Sequence, residues 1–163
     1  MFELPSVPSW DALHPFVSHF PIALLLLSPV LLLAALVVPA RRLTLLALAV
    51  WLMAAGTLAV YLSAATGDAA RDVASKAPEI VQAVADHEEL GSAVRAVFTG
   101  LTVLLVALRF GPVWLKRPLG AGALANATVA LLLVDLVAVL LVLKTGHSGA
   151  LLVHRLGVHA RLT

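Results

Sequence analysis

The chain contains no cysteine, which excludes disulfides, thiolate-held metals, cysteine-bound iron–sulfur clusters and covalent c-type haem attachment. Any metal must be held by His, carboxylate or Met. Charge is scarce as well. Asp, Glu, Lys and Arg make up 12% of the 163 residues, and a net charge of +2 is too small and too scattered for a nucleic-acid partner. There is no phosphate loop, low-complexity tract, repeat or nucleophile motif, and Ser148-Gly149 lacks the strand-to-helix context of a nucleophile elbow. The expectation is therefore a protein other than an enzyme.

What the chain has is apolar length. Hydrophobic residues make up 61% of it, and four long runs stand out: Pro21 to Val38, Leu43 to Ala65, Gly91 to Leu108 and Leu124 to Leu143. Each approaches or exceeds the roughly 20 residues that a helix needs to cross the hydrocarbon layer. Residues 1–163 therefore read as one all-α domain, an integral-membrane four-helix bundle. The first run is kept as a mature helix. Met1 to Phe20 has no Lys or Arg, and Pro39 followed by Arg41 and Arg42 is no small-residue cleavage site.

Two short connections carry Arg41, Arg42, Arg109, Lys116 and Arg117 with no acid among them, which places them in the cytoplasm by the positive-inside tendency. The long connection from Thr66 to Leu90 is acidic, and it belongs outside together with both termini. A multi-pass protein of a bacterial cytoplasmic (inner) membrane is expected. The segment after Pro78 carries Ile80, Val81 and Val84 on one face, so a short amphipathic helix is expected on the outer surface between helices two and three.

All six histidines (His14, His19, His87, His147, His154 and His159) fall on that outer side. Neutral imidazole is the commonest metal ligand, so a set of imidazoles at one water–lipid boundary is raw material for a haem or metal site. Most loop residues lie on this side, so the argument rests on local placement: His19 near the start of helix one, His87 opening helix three, and His147 closing helix four. His14 and His19 flank Pro15 and precede Pro21, a rigid approach to helix one. His154 and His159 sit in an apolar tail that reads better as packing.

His87, Gly91 and Arg95 are spaced four apart on helix three. Imidazole could bind iron, Gly could let a flat ring approach, and Arg could pair with a propionate. The alternative is an interfacial His beside the acidic turn of Asp86, Glu88 and Glu89, with Arg95 snorkelling outward. Asp135 lies nine residues before Lys144, about 13 Å into the membrane. A carboxyl at that depth needs a partner or a proton. Arg95, a protonated form bonded to Thr99 or Thr102, and a neighbouring subunit are the candidates. Gly56 and Gly100 suit close helix packing, and Ser28-Pro29 should bend helix one.

The segments His14-Pro-Phe-Val-Ser-His-Phe-Pro21, Thr66-Gly67, His87-Glu-Glu-Leu-Gly91 and the run from Thr145 to Val158 together resemble the bacterial membrane family catalogued as domain of unknown function 2231. The resemblance runs nearly end to end. It keeps His14, His19, His87 and His147 on motif positions, whereas Ala150, His154 and Leu156 depart from the usual pattern. It implies four membrane helices and, because some members are joined to Rieske or cytochrome c modules, an electron-transfer setting.

The leading expectation is a membrane protein or subunit that binds haem b and transfers electrons, with His14, His19, His87 and His147 as the ligand pool, His19 and His87 as the iron ligands, and Gly91 and Arg95 against the ring. Further redox subunits or a homo-oligomer would be its partners. Two other expectations stand beside it: a cofactor-free accessory subunit docked through Asp135, and an exofacial zinc or copper site built from His and carboxylate. Transport is disfavoured, since no pair of broken helices is visible.

Overall fold

The computed structural model describes residues 8–74 and 76–158. A short 3-10 turn, Asp11–Leu13, leads into α1, His14–Val37. A second turn, Pro39–Arg41, leads into α2, Arg42–Val73, and these are followed by α3, Pro78–Trp114, and α4, Ala121–His154. All four helices are long and apolar enough to cross a membrane. Helix α1 packs on α2 and α4, and α3 also packs on α2 and α4, so α1 and α3 stand diagonally opposite.

The core follows the helical period. Val94, Phe98, Leu101 and Leu105 of α3 close on Leu46, Ala49, Val50, Met53 and Val60 of α2, with Leu25, Leu32 and Ala35 from α1 and Ala138 and Val142 from α4. Large apolar side chains such as Trp51, Leu58, Val137 and Leu140 face outward. An outer surface of that kind suits acyl chains rather than water.

Two arginines staple the opposite end of the bundle. Arg42 Nε donates to the Ala35 carbonyl at 3.0 Å and its Nη1 to Ala121 at 3.3 Å, while Arg109 Nε donates to Leu43 at 2.7 Å. These contacts bind the start of α2 to the end of α1, the start of α4 and the end of α3. The helix lengths then overrun the apolar runs at the other end, because α2 continues from Ala65 to Val73, α3 begins at Pro78 rather than Gly91, and α4 continues from Leu143 to His154. One mouth of the bundle is therefore built from helix that extends beyond the apolar runs.

Three boundaries differ from the sequence reading. The expected surface helix is helical, but it is the first part of α3. No Pro or Gly interrupts residues 79–90, and Gln82 bonds Asp86 at 2.8 Å one turn along, so nothing stops the helix. Thr145-Gly-His-Ser-Gly149 does not end α4, which continues through both glycines to His154. Helix α1 starts at His14, which puts His19 in its second turn.

Gly56 has the expected packing role. A Cβ there would meet Leu25 Cδ2 at 2.6 Å and Leu24 Cβ at 3.3 Å. Gly100 does not, since a Cβ at that position meets nothing within 4 Å. Gly56→Leu should therefore destabilise the bundle by about 1–3 kcal/mol through overpacking, and Gly100→Ala should not. Thermal melts in one detergent would check the pair.

Candidate functional site

At the extended mouth, His14 of α1 and His87 of α3 meet across the diagonal of the bundle. Their ring centres are 6.3 Å apart and their planes are crossed at 81°. Both are part-buried.

Each ring is housed by the helix that follows it in the chain. The His14 Nδ1 lies 2.9 Å from the Ser63 carbonyl and 3.3 Å from Thr66 Oγ1. A carbonyl can only accept, so Nδ1 carries the proton and Nε2 is left with a free lone pair. Thr66 is itself anchored to the Ser63 carbonyl at 2.9 Å and the Leu62 carbonyl at 3.2 Å. Four residues after Ser63 comes Gly67, where a Cβ would stand 3.1 Å from His14 Cε1.

The second half repeats this plan. A Cβ on Gly149 of α4 would stand 3.1 Å from His87 Cε1, and the residue four before it, Thr145, turns its carbonyl toward the His87 ring. Unlike His14, His87 leaves its buried Nδ1 without a hydrogen bond of normal geometry. Residues i and i+4 share a helix face. Each hairpin thus sets a glycine against one imidazole, with a hydrogen-bonded carbonyl on His14. Ser63-Ala-Ala-Thr-Gly67 and Thr145-Gly-His-Ser-Gly149 share the pattern Ser/Thr-x-x-Ser/Thr-Gly. That spacing was the available signal for Ser63, Thr145 and Gly149, and the sequence reading, which found no repeat, passed over it.

The other candidates are placed elsewhere. His19 is exposed and its Nδ1 donates to the Pro15 carbonyl of its own helix. Five residues turn a helix by about 140° beyond a full turn, so with His14 facing inward, His19 cannot. Together with Phe20, Ala23 and Leu24, it lines a shallow groove on the outer face. His147 is exposed for the same reason, since it lies two residues from both inward positions, Thr145 and Gly149. His154, the last residue of α4, is exposed too, and His159 lies outside the described residues.

Arg95 does not reach the histidines. Its guanidinium lies 5.7 Å from the centre of the Tyr61 ring and 3.3 Å from Ser92 Oγ. Each step of four overshoots a turn by about 40°, so by Arg95 the face has rotated some 80° from His87, toward α2. A Cβ on Gly91 would meet nothing within 4 Å, so that glycine opens no visible slot. Among the described residues no three His, Cys, Asp or Glu side chains converge on a common point. The nearby acids are engaged elsewhere, Glu88 with Arg71 at 2.9 Å and Asp86 with Gln82.

Asp135 meets neither Arg95 nor Thr99 nor Thr102. It is fully buried and faces Ser28 of α1, whose Oγ lies 2.8 Å from Oδ2. Thr102 pairs with Thr57 at 2.8 Å, and Thr99 with Tyr61 at 3.2 Å and the Arg95 carbonyl at 2.6 Å.

Four antiparallel helices, each long and apolar enough to cross a membrane, with a crossed histidine pair at one mouth, define a small polytopic membrane protein. A family model described as "Predicted membrane protein (DUF2231)" matches residues 10–161, and the chain belongs to that family. No curated protein and no solved structure matches it.

Proposed function

We propose that the protein is a membrane haem b carrier in which His14 and His87 would hold the iron and the haem would supply a one-electron couple. The observation that carries this reading is the paired housing of the two rings. A site with two inward imidazoles, and no third His, Cys, Asp or Glu converging on them among the described residues, suits a group that brings its own nitrogens. A closed zinc site needs four ligands, and the exofacial zinc or copper alternative lacks its carboxylates.

The fit of the residues supports the same reading. His14 and His87, with ring centres 6.3 Å apart, are the residues that would hold the iron. The Ser63 carbonyl fixes the His14 tautomer and orientation, as outer partners of metal-bound histidines do. The bare backbones of Gly67 and Gly149 keep both rings free of side-chain crowding. When bound, haem supplies a reversible one-electron couple. The chain's own residues hold the imidazoles and fix one of their protons. By the positive-inside argument this mouth faces outward, where exofacial redox subunits could dock.

The direct test is the reduced-minus-oxidised optical spectrum of protein made with sufficient haem and purified in mild detergent. Sharp Soret and α bands of a six-coordinate low-spin haem are expected; featureless difference spectra would reject the assignment.

A further inference from the structure

The Asp135 carboxyl lies apart from the histidine site, buried between α4 and α1. Pro29 has no N–H, so the carbonyl of Leu25, four residues earlier in α1, loses its normal helical partner. Ser28 replaces that partner, with Oγ 2.8 Å from the Leu25 oxygen. The same Oγ lies 2.8 Å from Asp135 Oδ2. A serine hydroxyl has one proton, and two oxygens face it.

If Ser28 donates to Leu25, as the missing Pro29 N–H demands, the bond to Asp135 can form only when Asp135 is the donor. A carboxylate in the same place would oppose the Ser28 lone pairs or leave the Leu25 carbonyl unpaired. The second oxygen agrees, because Asp135 Oδ1 is buried without any partner. An unbonded oxygen is tolerable on a neutral acid and far less so on an anion. Among the described residues no Lys, Arg or His side chain pairs with Asp135. Helix α1 has no titratable residue between His19 and Val37, α3 has none between Arg95 and Arg109, and α2 has none from Leu43 to Val60. Arg95 is turned onto Tyr61.

We propose that Asp135 is a proton-binding site in the membrane interior: it holds its proton as a carboxylic acid donating to Ser28, which donates in turn to the Leu25 carbonyl, and this relay ties α4 to α1 at the proline of α1. The ligand is the proton itself. The relay is separate from the histidine pair, since Ser28 lies fourteen residues, about 21 Å, along α1 from His14.

Infrared spectroscopy in lipid nanodiscs at neutral pH tests it. The wild-type minus Asp135→Asn difference should show the C=O stretch of a carboxylic acid, shifting down in deuterated water. Ser28→Ala should keep the band but move it to higher frequency, since the donated hydrogen bond is gone. Paired carboxylate stretches in the Asp135→Asn difference would overturn the proposal. Should that variant fail to fold, wild type against Ser28→Ala decides alone: a shifted acid band supports the relay, and an unmoved or absent one rejects it.

Discussion

His14→Ala and His87→Ala should each abolish the low-spin haem spectrum, whereas His19→Ala and His147→Ala should leave it in place. The asymmetry follows from angle and housing. His14 and His87 meet at 6.3 Å across the bundle, but His19 is committed to its own helix backbone and His147 stands on the exposed side of α4. Removing either inward imidazole leaves an iron with one protein ligand in a slot shaped for two rings. The loss is then complete rather than graded, and it appears in both variants alike. Circular dichroism and gel filtration of the same preparations separate loss of the cofactor from loss of the fold. Retention of a six-coordinate spectrum in His87→Ala, or its loss in His19→Ala, would show that a different pair holds the iron.

The second large effect is expected at the two glycines. Gly67→Leu and Gly149→Leu should each lower haem occupancy on the order of ten-fold or more, the range typical of residues that orient a metal's ligands. Gly91→Leu should have little effect. At Gly67 and Gly149 even a Cβ would come within 3.1 Å of an imidazole carbon, and a branched side chain would drive the ring off its carbonyl. Helix propensity pulls the other way, because replacing a mid-helix glycine favours the helix by up to about 1 kcal/mol. A bundle that melts no lower but binds less haem is therefore the expected signature. Haem titration followed by absorbance, with a melt of each variant, would measure both quantities.

How much of this the chain reveals unaided depends on the periodicity used. Composition and run length gave the four spans, because the cost of exposing polar backbone to lipid leaves helices as the only solution for such runs. The same run-length logic misjudged the helix ends. Polar residues such as Gln82 and Asp86 continue a helix into water as readily as apolar ones continue it through lipid, so α3 begins thirteen residues before its apolar run and the surface segment merges with it.

The histidine pair was half legible. His14 and His87 stood among the candidates, but choosing His19 over His14 came from sidedness along the membrane normal, without the angle around each helix. Counting about 100° per residue separates His14 from His19, and Thr145 and Gly149 from His147. The housing residues were legible only as a repeated pattern of hydroxyl residue and glycine. Ser28 was noted for its proline and not as a partner, since nothing local in α1 announces a carboxyl that arrives from α4 more than a hundred residues later. Tertiary pairings of that kind are set by the helix order around the bundle.

If the two imidazoles hold one haem, the pyridine haemochrome assay on wild-type protein purified after haem-sufficient expression will count it per chain. The expected result is haem b at one per chain, falling to background in the His14→Ala, His87→Ala double variant. A folded wild-type preparation that carries no haem, and takes none up on titration, would contradict it.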